Sequence, residues 1–130
     1  MRVLTLPKAL RLTGKKEIDG LFRSGKSHNF FPLKLIFRMP EPSEAGSDDA
    51  ARHFKVLFTV PSRRFKKATV RNRIRRLMRE AFRQEQGPLT GLPPVHIGYI
   101  YIAPDVLSIR EIRTKMIQSI RMLSQLHAKG

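Results

Sequence analysis

The residues with the clearest chemical meaning are arginines concentrated between positions 71 and 83, in the run RNRIRRLMREAFR. Six of these thirteen residues are arginine, none is lysine, and Glu80 is the single carboxylate. Guanidinium is a planar fork of five N–H donors that matches phosphate oxygens and stacks on nucleobases. Like charges at this spacing repel one another on a helix, and a bound polyanion would offset that repulsion. The run therefore predicts a surface for a polyanion.

The same run has the periodicity of an amphipathic helix, which is predicted over residues 68–86. At about 100° per residue, and with Phe82 at the margin, one side collects the apolar residues Val70, Ile74, Leu77, Met78 and Ala81. The opposite side collects the polar residues Asn72, Arg76, Arg79 and Arg83, flanked by Arg71, Arg73 and Arg75. The apolar side is needed for a core, so the arginines are predicted to face outward.

A basic connection precedes this helix in residues 61–67 (PSRRFKK), and its cations are Arg63, Arg64, Lys66 and Lys67. The whole chain carries 26 Lys and Arg against 10 Asp and Glu, a formal charge of +16. Nucleic acid, an anionic membrane and a merely solvated surface could each account for such a charge. The clustering on one helix and its connection favours nucleic acid. A membrane partner is disfavoured because the helix has no spare apolar side.

Residues suited to protein-based catalysis are sparse. A protein nuclease needs a general base or a cluster of metal-binding carboxylates. The four histidines are dispersed along the chain, and Asp48 and Asp49 have no partner at ligand spacing. The chain has no cysteine, which excludes a thiol nucleophile, a disulfide and a thiolate metal site. No catalytic residue, no metal site, no protein-bound cofactor and no small-molecule substrate are predicted.

The elements that must position the basic helix follow from hydrophobic periodicity and from turn residues. They are predicted as a helix at 15–24, a strand at 28–39 that could divide in two, a strand at 54–60, the basic helix, a strand at 96–103 and a helix at 108–126. Ser108 and Glu111 form a predicted capping box for the last helix. This mixture predicts an α+β fold, a two-layer α/β sandwich in the order α-β-β-β-α-β-α.

The chain is predicted to hold one domain, residues 13–130, after a basic N-terminal tail at residues 1–12. Residues 40–52 contain two prolines, a glycine and four acidic residues, which predicts an exposed acidic loop tolerated as an insertion. No apolar run approaches the roughly 18–20 residues of a membrane span, and the N-terminus lacks the pattern of a secretory leader. A cytoplasmic protein without a membrane partner is therefore expected.

The run RNRIRRLMREAFR resembles the RNR signature of the bacterial ribonuclease P protein family. The preceding segment FTVPSRRFKKA resembles that family's strand and basic connection. The likeness continues upstream through residues 12–25 and downstream through HIGYIYIA and the last helix, and so covers nearly the whole chain apart from the tail and the acidic loop. It implies that two parallel strands are joined through the basic helix by a left-handed crossover, an exception to the usual handedness.

For function, the resemblance implies the non-catalytic protein subunit of an RNA-based endoribonuclease. Ribonuclease P RNA and precursor tRNA are the implied partners, and the RNA with Mg²⁺ is the implied catalyst that removes the 5′ leader. The implied contacts to the catalytic RNA are Arg63, Arg64, Lys66, Lys67, Arg71, Asn72, Arg73, Arg75, Arg76, Arg79 and Arg83. A ribosomal or RNA-chaperone module is the rival interpretation, because such binders also carry basic helices in mixed folds.

The family's second surface is a cleft between the first helix and the sheet, which holds the single-stranded leader. The matching positions in this chain are Ile18 and Phe22 on the helix, with Ile36 or Phe37 on the strand. Aromatic rings in such a cleft stack on unpaired bases, but Ile18 stands where many family members carry phenylalanine. The helical spacing of Ile18 and Phe22 is also that of core residues, so cleft and core both stay open for them.

Overall fold

The computed structural model describes residues 11–39, 54–89 and 94–129. Within these ranges the helices and strands follow the predicted order α-β-β-β-α-β-α. They are α1 (Lys15–Ser24), β1 (Lys26–Phe30), β2 (Leu33–Arg38), β3 (Lys55–Thr59), α2 (Ala68–Glu85), β4 (His96–Tyr101) and α3 (Ile109–Lys129), with a 3₁₀ turn at Gly87–Leu89. The predicted acidic loop at residues 40–52 lies outside the described residues, as does most of the predicted tail.

The four strands form one sheet in the spatial order β1-β2-β4-β3. β1 and β2 are an antiparallel hairpin, so the predicted strand at 28–39 divides at Phe31 and Pro32. Pro32 has no N–H to donate to a strand ladder, which favours a turn at this point. β2 and β4 are antiparallel, whereas β3 and β4 are parallel and connected through α2. The parallel β-α-β unit is confirmed, and its left-handed crossover stays a prediction.

One face of the sheet is covered by α2 and α3 and encloses the main core. Phe82 of α2 lies within it, its ring edge-on to Phe54, Phe58 and Tyr99 at centroid distances between 5.4 and 5.9 Å. Periodicity predicted Phe82 at the margin of the apolar side, but its ring is large enough to contact both β3 and β4. The buried hydroxyl of Tyr99 shares a 2.8 Å hydrogen bond with Ser119 of α3, which satisfies both polar groups.

The opposite face of the sheet carries α1 and a smaller core of Leu12, Leu21 and Ile36. Because successive side chains of a strand alternate, Ile36 of β2 points to α1 while Leu35 and Phe37 point to the main core. The helices therefore lie on both sides of the sheet. α2 and α3 form the predicted two-layer sandwich with it, and α1 adds a partial third layer.

The α1 helix approaches the sheet closely at Gly98 of β4. A Cβ atom built on Gly98 would lie 2.9 Å from Cγ2 of Ile36 and 3.1 Å from Cδ2 of Leu21. Gly98 is also paired in register with Ile36 on one side and Leu57 on the other. The glycine therefore leaves room on the sheet surface for the side chain of Leu21.

Arg11 and Leu12 belong to the folded domain. Leu12 is 2% exposed, and its N–H donates to the carbonyl oxygen of Val56 at 3.0 Å. Arg11 pairs with Val56 in a parallel bridge on the outer edge of β3. The predicted tail at residues 1–12 is thus too long, because the backbone at its end supplies hydrogen bonds to the sheet.

Replacing Gly98 by alanine is expected to destabilise the fold by ~1–3 kcal/mol, because the added methyl group has to displace Ile36 and Leu21. Urea unfolding followed by circular dichroism measures the change. Gly87→Ala is the matched control, since a Cβ atom on Gly87 meets no atom within 4 Å. Equal stability of the two variants would contradict the close contact between α1 and β4.

Candidate nucleic-acid interface

The basic side of α2 is exposed because the other side of the helix is held in the main core. Its buried residues are Ile74, Met78, Ala81 and Phe82, and its partly buried apolar residues are Val70 and Leu77. On the other side Asn72, Arg73 and Arg76 are exposed to solvent. The predicted division of this helix into an apolar and a polar side is confirmed.

Arg71 joins the first turn of α2 to the basic connection that precedes it. Its Nη1 atom donates hydrogen bonds to the carbonyl oxygen of Phe65 at 2.7 Å and to that of Lys66 at 2.9 Å. The ring of Phe65 packs on Tyr101 with centroids 5.9 Å apart, which anchors the connection on the sheet. Arg71 therefore fixes the shape of the connection, and part of its donor capacity is used within the protein.

Two further arginines of α2 are engaged by neighbours on the same helix. Arg83 forms an ion pair with Glu80, with 2.7 Å between Nη2 and Oε2. This hydrogen-bonded pair lowers the pKa of Glu80 and raises the pKa of Arg83. Arg75 donates from Nη1 to Oδ1 of Asn72 at 2.6 Å. Arg83 was predicted to contact RNA, but its ion pair with Glu80 makes it less available to a ligand. The i,i+3 spacing of the two residues in the sequence already indicated this pair.

The remaining cations of the helix and its connection form what we call the basic face. Its exposed members are Arg63, Arg64, Lys66, Lys67, Arg73 and Arg76. The two carboxylates of α2 are both engaged elsewhere, Glu80 by Arg83 and Glu85 by Arg113 of α3 at 2.8 Å. No carboxylate of α2 is therefore left to neutralise the basic face.

Arg79 lies at the margin of the basic face, next to β3 and Arg11. Burial is the main cause that lowers the pKa of Arg79, and the positive charges of Arg11, Arg75 and Arg76 lower it further. The two side chains of Arg11 and Arg79 line a common cavity of about 140 Å³. Sequence reasoning assigned Arg11 to the tail, because its position depends on backbone pairing with Val56, which no local pattern indicates.

The four predicted leader-binding residues fall on different sides of the sheet. Ile18 and Ile36 contribute to the small core under α1, and Phe22 is 44% exposed on that helix. Phe37 lies in the main core on the opposite face, where its ring stacks on His28 at a centroid distance of 6.0 Å. The prediction that Phe37 lies between the first helix and the sheet is therefore wrong. The alternative strand position, Ile36, lies beneath α1. Leu21, and not Phe22, is the fully buried residue of α1.

The described side chains offer charge-assisted hydrogen bonding and stacking. Within residues 11–39, 54–89 and 94–129, no three histidine, aspartate or glutamate side chains lie close enough together to hold a metal ion. None of the helices described is at once long and apolar enough to cross a membrane.

Comparison with known sequences identifies related proteins. A family model described as Ribonuclease P matches residues 6–121. The ribonuclease P protein component of Porphyromonas gingivalis is 37% identical over 78 residues, which are 60% of this chain and 53% of the relative. That of Chlorobaculum tepidum is 38% identical over 89 residues, which are 68% of this chain and 56% of the relative. The matches thus span about half the length of these curated relatives.

Solved structures of RNase P proteins share the fold. The Staphylococcus aureus RNase P protein superposes with a TM-score of 0.68 at 16% identity, over 92% of this chain and 99% of that chain. The Thermotoga maritima RNase P protein superposes with a TM-score of 0.66 at 23% identity, over 86% of this chain and 96% of that chain. At such identities the likeness concerns the fold.

Proposed function

The chain belongs to the ribonuclease P protein family, and on this premise we propose that it is the protein subunit of a ribonuclease P ribonucleoprotein that removes the 5′ leader from precursor tRNA. In this proposal the partner RNA performs the cleavage with Mg²⁺, and the protein supplies affinity and orientation. The observation that supports it most strongly is the basic face, whose charge no carboxylate of α2 neutralises.

The basic face suits a folded RNA because its cations are attached to a rigid helix and a clamped connection. Each phosphate that it neutralises releases counterions, so several contacts together give a strong, salt-dependent affinity. Arg73 and Arg76 are exposed and are assigned direct contacts to phosphate oxygens. Arg71 is assigned a positioning role, because its hydrogen bonds to Phe65 and Lys66 hold the connection beside the helix.

We assign the 5′ leader to the α1 side of the sheet. Phe22 presents a ring there that is 44% exposed, which suits stacking on an unpaired base. Lys34 is partly exposed and lies two residues from Ile36 on β2, so it faces the same side, where its positive charge would attract the backbone of the leader. The two proposed RNA surfaces therefore lie on opposite sides of the sheet.

The proposal places Mg²⁺ on the RNA and not on the protein. The described residues offer no cluster of carboxylates or histidines with the donor set for a divalent ion. Side chains of the basic face act on the RNA through charge and hydrogen bonds, and no step of the reaction is assigned to them. The cytoplasm is the proposed compartment, and no small-molecule substrate is required.

Reconstitution tests the proposed function. At low Mg²⁺, the full chain mixed with a bacterial ribonuclease P RNA is expected to restore 5′ leader cleavage, because protein cations take over part of the charge screening. Cleavage of labelled precursor tRNA is followed on denaturing gels. Folded protein that anneals RNA but gives no stimulation would instead support the RNA-chaperone interpretation.

The double variant Arg73→Ala/Arg76→Ala tests the basic face. Its binding to ribonuclease P RNA should weaken, and the slope of log K against log salt should decrease by ~0.7–0.9 per lost phosphate contact. Filter binding at several salt concentrations measures both quantities. Arg110→Ala/Arg121→Ala is the control, because it removes the same charge from exposed positions of α3. Equal losses in the two variants would show that net charge, and not the basic face, determines binding.

Replacing Phe22 by alanine tests the leader assignment. Precursor tRNA with a leader should bind the reconstituted enzyme more weakly by ~1–3 kcal/mol, the contribution of one stacked base. Mature tRNA should bind with unchanged affinity. Phe31→Ala is the matched control, since this ring is 55% exposed at the turn between β1 and β2. A similar loss for mature tRNA, or for Phe31→Ala, would refute the assignment.

A further inference from the structure

The two edges of the sheet differ in what covers them. The backbone of Arg11 and Leu12 covers the β3 edge through a parallel bridge and a 3.0 Å hydrogen bond to Val56. Among the described strands, β1 has β2 as its one ladder partner, so its outer edge offers backbone N–H and C=O groups to a further strand. An extended peptide supplies both the acceptors and the donors that such an edge needs, whereas an RNA backbone supplies mainly acceptors.

A cavity of about 310 Å³ lies at the end of β1, between the β1–β2 turn and the first turns of α3. Its apolar lining residues are Phe31, Pro32 and Leu107. The ring of Phe31 is 55% exposed, so a large apolar surface is in contact with water next to a strand edge. An incoming apolar side chain would bury this ring, in the way that anchor residues fill pockets at protein interfaces.

The charged side chains along this edge are mainly cationic. Lys26 and His28 project from the α3 side of β1, because their register partners on β2 belong to the main core, and both are exposed. Lys115 of α3 lines the cavity. Glu111 is the one carboxylate among the described lining residues, and it accepts hydrogen bonds from the N–H and the hydroxyl of Ser108 at 3.3 and 3.1 Å. An acidic partner therefore complements the edge.

We propose that the β1 edge and this cavity bind an extended, acidic segment of a partner protein by strand addition. The backbone of the segment pairs with β1, one large apolar side chain enters the cavity beside Phe31, and carboxylates lie against Lys26 and Lys115. The basic face belongs to α2, which packs on β3 at the other edge of the sheet, whereas α3 contacts β1. The partner and an RNA on the basic face therefore bind at the same time, and the inference does not depend on the proposed function.

The synthetic peptide ETETFTE tests the site, because an extended strand places its glutamates and its phenylalanine on one face. Fluorescence anisotropy with the full chain measures binding. ETETFTE is expected to bind in the micromolar range, and the analogues KTKTFTK and ETETATE about tenfold more weakly or worse. N-methylation of the three threonine amides and N-methylation of the other amides should have opposite results. One set should abolish binding and the other preserve it, since only alternate amides of an added strand face β1.

Protein variants locate the peptide on the chain. Phe31→Ala and Lys115→Glu should each weaken the binding of ETETFTE by about tenfold. Arg110→Glu makes the same charge change at an exposed position of α3 that is not among the lining residues, and is the matched control for Lys115→Glu. It should weaken binding by less than about twofold, because salt screens charges outside the contact. Circular-dichroism spectra verify that the three variants are folded.

The other outcomes would overturn the site. Absence of binding by ETETFTE, equal binding of KTKTFTK, or equal losses in Lys115→Glu and Arg110→Glu would each do so. A concentration-dependent dimer that Phe31→Ala abolishes would assign the edge to a second copy of this chain. Displacement of ETETFTE by ribonuclease P RNA, together with weaker RNA binding of Lys115→Glu, would assign the edge to RNA. Wild-type protein that binds the peptide but no RNA would reject the proposed function and support this inference.

Discussion

The structure depends on the attachment of α2 to the sheet by its apolar side, while the polar side of the helix carries an excess of arginines over carboxylates. Phe82 contacts the rings of Phe58 in β3 and Tyr99 in β4, and Ile74 and Met78 of the same helix are fully buried. Loss of one such buried ring destabilises a fold by roughly 3–5 kcal/mol. A pair of like charges on an exposed helix destabilises it by only about 0.2–0.5 kcal/mol. Packing therefore outweighs repulsion, and the free protein can hold its arginines ready for a ligand.

Because side chains alternate along β2, the two faces of the sheet support different helices. Leu35 and Phe37 fill the core beneath α2 and α3, and Ile36 supports α1 on the other side. Gly98 on the neighbouring strand lets α1 lie close to that side. A single sheet thus supplies the rigid base of the basic face and the floor of the proposed leader surface, so the two surfaces keep a fixed relation to each other.

Local patterns were sufficient to predict the elements and the division of α2, because both depend on residues within a few positions of one another. The capping box is an example: the N–H of Ser108 donates to Glu111 at 3.3 Å, and the N–H of Glu111 donates to Ser108 at 3.2 Å. Arg11 and Phe37 could not be placed in this way. The position of Arg11 depends on pairing with a strand that is far away in the sequence. The position of Phe37 depends on which face of β2 packs against which helices, and no local pattern indicates this.

The strand order has a consequence for biosynthesis. Among the described strands β4 comes last in the sequence, yet it lies between β2 and β3 and is the regular ladder partner of β3. Until β4 has been synthesised, the α2 segment with its arginines lacks part of the sheet on which it packs. The sheet is therefore completed only after β4 has been synthesised, when long-range pairing becomes available.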